Sequence, residues 1–172
     1  MYCAIDFGTS NSAVCIPDGA GAMRLVELEP GYATMPTAVF YAAEGRAAQT
    51  PSREFGRAAL AAYVDGIDGR LMRSMKSILG STLIDQTTDV GGGRAVRYLD
   101  VVSGYLAHLR ACAEAAAGRS IRRVVLGRPV YFVDDDPARD AAAQRALESA
   151  ARQAGFTDVE FQFEPIAAAF DY

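Results

Sequence analysis

The sequence predicts an α/β layer fold: three short strands joined by tight turns, a mixed insert, and then helix, strand, helix, strand, helix. Two observations carry this. Short apolar runs bounded by turn formers lie near the start of the 172-residue chain and an alternating run, 158–163, near its end, and two long segments, 99–117 and 137–154, switch to helical spacing. A chain of this length buries roughly 70% of its unfolded surface, enough for a core without disulfides or a structural metal.

The elements follow in order. Residues 2–6 are a short apolar run ending in Asp6, and Gly8-Thr9-Ser10-Asn11-Ser12 is rich in turn formers. Residues 12–16 read as a second strand and, after Pro17-Asp18-Gly19, residues 23–28 as a third, which makes an antiparallel meander. A fourth strand is expected over 36–42, turned by Glu44-Gly45, and a helix over about 51–64, broken by Gly66 and Gly69. Leu71, Met72, Met75, Ile78 and Leu79 have helical spacing, so a short helix ending at Gly80 is expected. Residues 81–97 are polar and glycine-rich, a loop or weak hairpin. Leu99, Val102, Leu106, Leu109, Ala113 and Ala116 mark a long amphipathic helix closed by Gly118. A strand follows over 121–128, ended by Pro129, which has no N–H for a ladder. Pro137 suits a first helical position, and Gly155 caps that helix. Val159, Phe161 and Phe163 alternate along a last strand with one buried face, and Glu164-Pro165 opens a final helix to Tyr172. The domain expectation is a core of 1–36 and 99–172 with a smaller inserted subdomain at 37–98.

Composition narrows the function classes. Apolar residues are 51% and charged residues 22%, which excludes a disordered chain. Seventeen basic against 21 acidic side chains give −4, a poor balance for non-specific nucleic-acid binding. No run approaches the roughly 18 apolar residues of a membrane span, and the first residues lack a signal peptide's basic start. Cys3, Cys15 and Cys112 have no CxxC spacing, and with the single His108 they make no zinc cage. A reducing cytoplasm is therefore expected. Cys3 and Cys15 sit on neighbouring predicted strands where they face one another, and His108 falls at a helix surface or core edge.

Three segments could do chemistry. Gly8 permits a sharp bend and close approach of a ligand to the main chain, the amides after it can converge on phosphate oxygens, and Thr9 and Ser10 add hydroxyls. Asp6, at a strand end, suits a hydrated magnesium ion. The same residues serve equally as a hairpin turn with an Asp accepting from its N–H groups. Glu164 falls at a helix start, where the dipole favours its ionised form, or is simply an acidic cap. Lys76 is the only lysine beside 16 arginines; its compact ammonium fits a phosphate oxygen or a water, or simply a solvated helix face. Asp89-Val90-Gly91-Gly92-Gly93 is not a phosphate loop, because a polar run precedes it and Arg94 stands where a hydroxyl is wanted; a flexible loop is the better reading.

Taken together and in order, these segments resemble a known family. Asp6-Phe7-Gly8-Thr9-Ser10-Asn11-Ser12 resembles the first phosphate motif of DnaK-type heat-shock chaperones, of the actin, hexokinase and sugar-kinase superfamily with its ribonuclease-H-like fold. Met75-Lys76-Ser77-Ile78-Leu79-Gly80 resembles the segment with that family's catalytic lysine. Val125 to Phe132 is similar to its Val-Pro-Ala-Tyr-Phe strand end, and Gly155-Phe156 with Glu164 to Tyr172 to its connecting helix. The Gly-Arg-Pro and Phe-Gln-Phe-Glu-Pro wording is most similar to the YegD-type branch. The resemblance implies half of a two-lobed ATPase that takes ATP or ADP and Mg2+ between its lobes. It implies metal-bound waters on Asp6 and Glu164, phosphate contacts from Gly8, Thr9, Ser10 and Asn11, and a catalytic role for Lys76 beside Thr9, Asp6 and Glu164. It implies the second lobe, clients and co-chaperones as partners, and little hydrolysis by this lobe alone, since the second phosphate loop and adenosine pocket are missing. Family members couple the strand-end proline to a later arginine; here Arg139 and Arg145 are the candidates for Pro129. An actin-like cytoskeletal ATPase lobe and a non-catalytic interaction module are the competing readings.

Overall fold

The computed structural model describes residues 1–19, 21–43 and 52–164. Its centre is a mixed six-stranded sheet in the order β11-β10-β1-β2-β3, with β4 also on β2. The strands are β1 (Tyr2–Phe7), β2 (Asn11–Pro17), β3 (Met23–Leu25), β4 (Thr34–Pro36), β10 (Arg123–Arg128) and β11 (Asp158–Phe163). β1 runs antiparallel to β2 and parallel to β10, which is parallel to β11. β3 and β4 share the far edge of β2, pairing with Cys15–Pro17 and Asn11–Ala13. The expected meander and the later strands thus form one sheet.

Alternation fixes its faces. Cys3, Ile5 and Phe7 of β1, Val14 and Ile16 of β2, and Val124 and Leu126 of β10 point into one core. Leu106 and Leu109 of α2 (Tyr98–Ala117) and Leu147 and Ala150 of α3 (Pro137–Gln153) fill the same core. Gly118 closes α2 at φ 65°, and α3 starts with Asp136 accepting from the Arg139 N–H at 3.0 Å and Pro137 next to it. The two cysteines do not face each other: Ala4, not Cys3, lies opposite Cys15, so the one-residue offset puts their thiols on opposite faces. His108 sits at the core edge, stacked on Phe55 at 4.2 Å.

Between β4 and α2 lie β5 (Ala38–Ala42), β6 (Arg53–Phe55), α1 (Gly56–Val64), β7 (Gly69–Arg73), β8 (Thr87–Gly91) and β9 (Arg94–Arg97). They form a three-stranded sheet, β6-β5-β7, and the hairpin β8-β9. Four expectations change here. The strand expected at 36–42 breaks after Pro36 into β4 and β5. The helix begins at Gly56 because Arg53–Phe55 pair with Val39–Tyr41. The helix expected over 70–80 is instead strand β7, paired with all of β5, followed by a single 3-10 turn, Met75–Ile78. Residues 87–97, polar as they are, make the hairpin that is one of the two readings of 81–97, with all three glycines at positive φ, so Asp89 to Gly93 are strand and turn where a flexible loop is expected. At the other end, Phe163 is exposed and so does not continue the buried face of Val159 and Phe161. The turn expected at Glu44-Gly45, the start of the helix expected from residue 51 and the final helix all fall outside the described residues. No described helix is long and apolar enough to cross a membrane.

Candidate functional site

β1 carries Asp6 near its carboxyl end and then turns through Gly8-Thr9-Ser10 into β2. Gly8 is required by close approach: a Cβ there would collide with the carbonyl oxygen of Asn11. The turn is held from beneath. Thr37, only 2% exposed, donates its hydroxyl to the Gly8 carbonyl at 2.8 Å and its N–H to the Ser10 carbonyl at 2.9 Å. Thr9, Ser10 and Asn11 remain exposed on the other side.

Lys76 approaches from a different part of the chain. Ser74 takes a left-handed conformation (φ 53°) that ends β7 and starts the 3-10 turn; Met75, fully buried, anchors it, and Lys76 projects beyond. Its ammonium meets Glu164 Oε1 at 2.6 Å, with the lysine side chain 11% exposed. Glu164, just after β11, lies over Gly127 of β10: a Cβ at Gly127 would stand 3.4 Å from Glu164 Cγ and 3.8 Å from the Ile5 carbonyl of β1. Both are ordinary van der Waals distances, so Glu164 packs over β10 beside β1 without depending on the missing side chain. Asp6 feels both groups. Partial burial raises its pKa above 3.8, the Glu164 carboxylate raises it further, and the Lys76 ammonium opposes them.

The sequence-selected residues thus fall into two neighbouring sets. Asp6, Lys76 and Glu164 form one charged group drawn from β1, the insert and the end of β11; Gly8 to Asn11 form the adjoining turn. Thr37 and Gly127 were missed as site residues. A glycine inside an apolar strand is a sequence signal for Gly127; for Thr37 there is none. Among the described residues no group of three or more His, Cys, Asp or Glu side chains could hold a metal ion. Asp6 and Glu164 are the two carboxylates here that would suit a hydrated Mg2+.

The strand end after β10 differs from expectation. The Pro129 carbonyl accepts from Arg128 at 3.0 Å, whereas Arg139 gives two hydrogen bonds to the Gly80 carbonyl and Arg145 is exposed. Arg128 also pairs with Asp140 at 3.0 Å, and the hydrogen bond to the Pro129 carbonyl comes from Arg128 and not from Arg139.

The chain is 30% identical over 98% of its length to a chaperone protein HscA homolog of Aromatoleum aromaticum. It is 29% identical over its full length both to chaperone protein DnaK of Mycoplasmoides gallisepticum and to chaperone protein HscA of Edwardsiella ictaluri. It spans about a quarter of the length of these relatives, 26 to 28%. No family model matches the chain. Its homologues are thus DnaK and HscA chaperones, and its mixed sheet with flanking helices is consistent with an ATPase lobe of that kind.

Proposed function

We propose that this chain is the first lobe of the nucleotide-binding domain of a heat-shock chaperone-like ATPase, of the actin, hexokinase and sugar-kinase superfamily and nearest its YegD-type branch. It binds the phosphates of ATP or ADP with Mg2+, and it hydrolyses ATP only with the second lobe. The observation that supports this most is the meeting of Asp6, Lys76 and Glu164, which lie 70 and 88 positions apart along the chain yet form one charged group beside a glycine turn.

In this reading Mg2+ supplies charge neutralisation across the phosphates. Asp6 and Glu164 would hold waters of its hydration shell. The amides of Thr9, Ser10 and Asn11 and the Thr9 hydroxyl donate to phosphate oxygens, with Gly8 allowing their approach. Lys76 orients the attacking water and stabilises charge on the transferred phosphoryl, so catalysis is by positioning and electrostatics. Residues 1–36 and 99–172 form the core subdomain and 37–98 the insert that delivers Lys76. The second lobe, client proteins and co-chaperones are its partners, and the cytoplasm of a bacterium is its setting.

Phosphate release by this chain, and by the chain extended through a second lobe, tests the proposal. The extended protein is expected to hydrolyse ATP, the single lobe to do so barely, and Lys76→Ala to lower kcat in the extended protein by about 100-fold. Unchanged turnover in the Lys76→Ala extended protein would remove the catalytic assignment.

A further inference from the structure

Behind the glycine turn lies a buried hydroxyl chain that the reading above does not use. Thr37 and Ser12 are 2% and 1% exposed, and their hydroxyl oxygens are 2.9 Å apart. A hydroxyl has one proton, and a carbonyl can only accept. The Thr37 proton is committed to the Gly8 carbonyl, so Ser12 must donate to Thr37. Tyr105, fully buried on α2, donates to the Pro36 carbonyl at 3.1 Å and fixes the backbone on which Thr37 stands. Burial pushes its phenol to about 12, so it stays a donor at any physiological pH.

The consequence reaches the exposed side of the turn. Thr37 holds the Gly8 carbonyl with its side chain and the Ser10 carbonyl with its N–H. All peptide bonds here are trans, so each N–H points opposite to the preceding carbonyl. Drawing the Gly8 and Ser10 carbonyls inward therefore turns the N–H groups of Thr9 and Asn11 away from the interior. Two alternate amides facing outward make a concavity suited to an anion.

We propose that Thr37, supported by Ser12, is a positioning residue that presets the turn for a phosphate group by orienting the Thr9 and Asn11 amides. This rests on the phosphate-binding reading above. Without the Thr37 hydroxyl the Gly8 carbonyl is free to rotate, carrying the Thr9 amide with it, and an organised donor pair is lost before any ligand arrives.

The test uses the full chain with two probes, Mg2+-ATP and inorganic tripolyphosphate with Mg2+. Binding is followed by titration and by the 15N-resolved amide shifts of Thr9 and Asn11. In the unaltered chain both amides shift on ligand addition. Thr37→Val, which keeps the backbone N–H and the shape, should weaken both probes by about tenfold and abolish the Thr9 shift, while Thr37→Ser should stay within about threefold. Ser12→Ala, a milder change that leaves Thr37 in place, should fall between them and serves if Thr37→Val does not fold. If the unaltered chain binds neither probe, the phosphate reading and this inference fall together. If it binds but Thr37→Val, or Ser12→Ala in its stead, matches it in affinity and amide shifts, only the role given to Thr37 is overturned.

Discussion

Asp6 stands near the end of β1 with partial burial and the Glu164 carboxylate both favouring its neutral form. The folded chain therefore binds more protons at this site than the unfolded chain, between the ordinary value of 3.8 and the raised one. The stability this contributes is complete below 3.8 and is lost as pH rises through the raised value. Asp6→Asn, fixed in the uncharged form, should then melt higher than the unaltered chain at pH 7, and the gap should close as pH falls toward 3.8. Thermal scans across that range check this; a gap independent of pH would mean that ionisation of Asp6 is not its cause. Asp140 behaves oppositely. The Phe132 N–H at 2.6 Å and the Arg128 guanidinium hold its carboxyl below the ordinary value despite some desolvation, so its contribution is present above 3.8 and is lost as pH falls through the lowered value. Because Asp140→Ala also strands a nearly buried guanidinium, it should cost about 2 kcal/mol or more at neutral pH by urea denaturation, and less in acid.

At the scale of elements, two glycines near the site separate a turn that must be glycine from a strand position that need not be. A Cβ on Gly8 runs into backbone, the Asn11 carbonyl, so Gly8→Ala must move the turn; about 2 kcal/mol of stability should be lost, with phosphate binding weakened. A Cβ on Gly127 meets Glu164 no closer than 3.4 Å, an ordinary contact, so Gly127→Ala should fold within about 1 kcal/mol of the unaltered chain. Urea midpoints of the two variants give the comparison, and equal losses would contradict it. The same contrast explains what was legible in the sequence. The helical spacing of α2 and α3, Gly118 after α2 and Pro137 at the start of α3, and the short apolar runs of β1, β2 and β10 are local, and a window of the chain shows them. Residues 70–80 misled because Leu71, Met72, Met75, Ile78 and Leu79 match helical spacing, while the choice of strand is made by pairing with β5, some thirty positions earlier. Asp6, Lys76 and Glu164 were selected by motif order, and their convergence had to come from the fold. Thr37 is hidden because its partners, Gly8 and Ser10, lie more than 25 positions earlier, with three strands between.

The whole molecule ties the segment from β5 to β9, the proposed insert, to the central sheet through one core. Val39 and Tyr41 of β5, Met72 of β7, Met75 and Leu79 beside Lys76, and Val90 of the hairpin belong to the same buried cluster as Ile5, Leu106 and Leu126. A smaller cluster around Phe40 and Ala59 is confined to the insert. The larger cluster makes the position of Lys76 a property of the global fold, because Met75, its chain neighbour, is 0% exposed within that core. Met75→Ala removes a buried side chain from both parts at once and should cost about 2–5 kcal/mol. For a chain of this size that is a fall in Tm of about 2–4 °C per kcal/mol. The fall should be the same for a probe on the insert and a probe on α2, with one transition in each case, since neither part can lose this core without the other. A fluorescent label on exposed Tyr63 replaced by cysteine, read beside far-ultraviolet dichroism dominated by α2 and α3, distinguishes the outcomes. Coincident transitions would mean that the lysine-bearing insert and the carboxylate-bearing sheet fold as one unit. A separate, earlier transition of the label would mean that the insert unfolds alone, and that Lys76 reaches Glu164 from an independently mobile part.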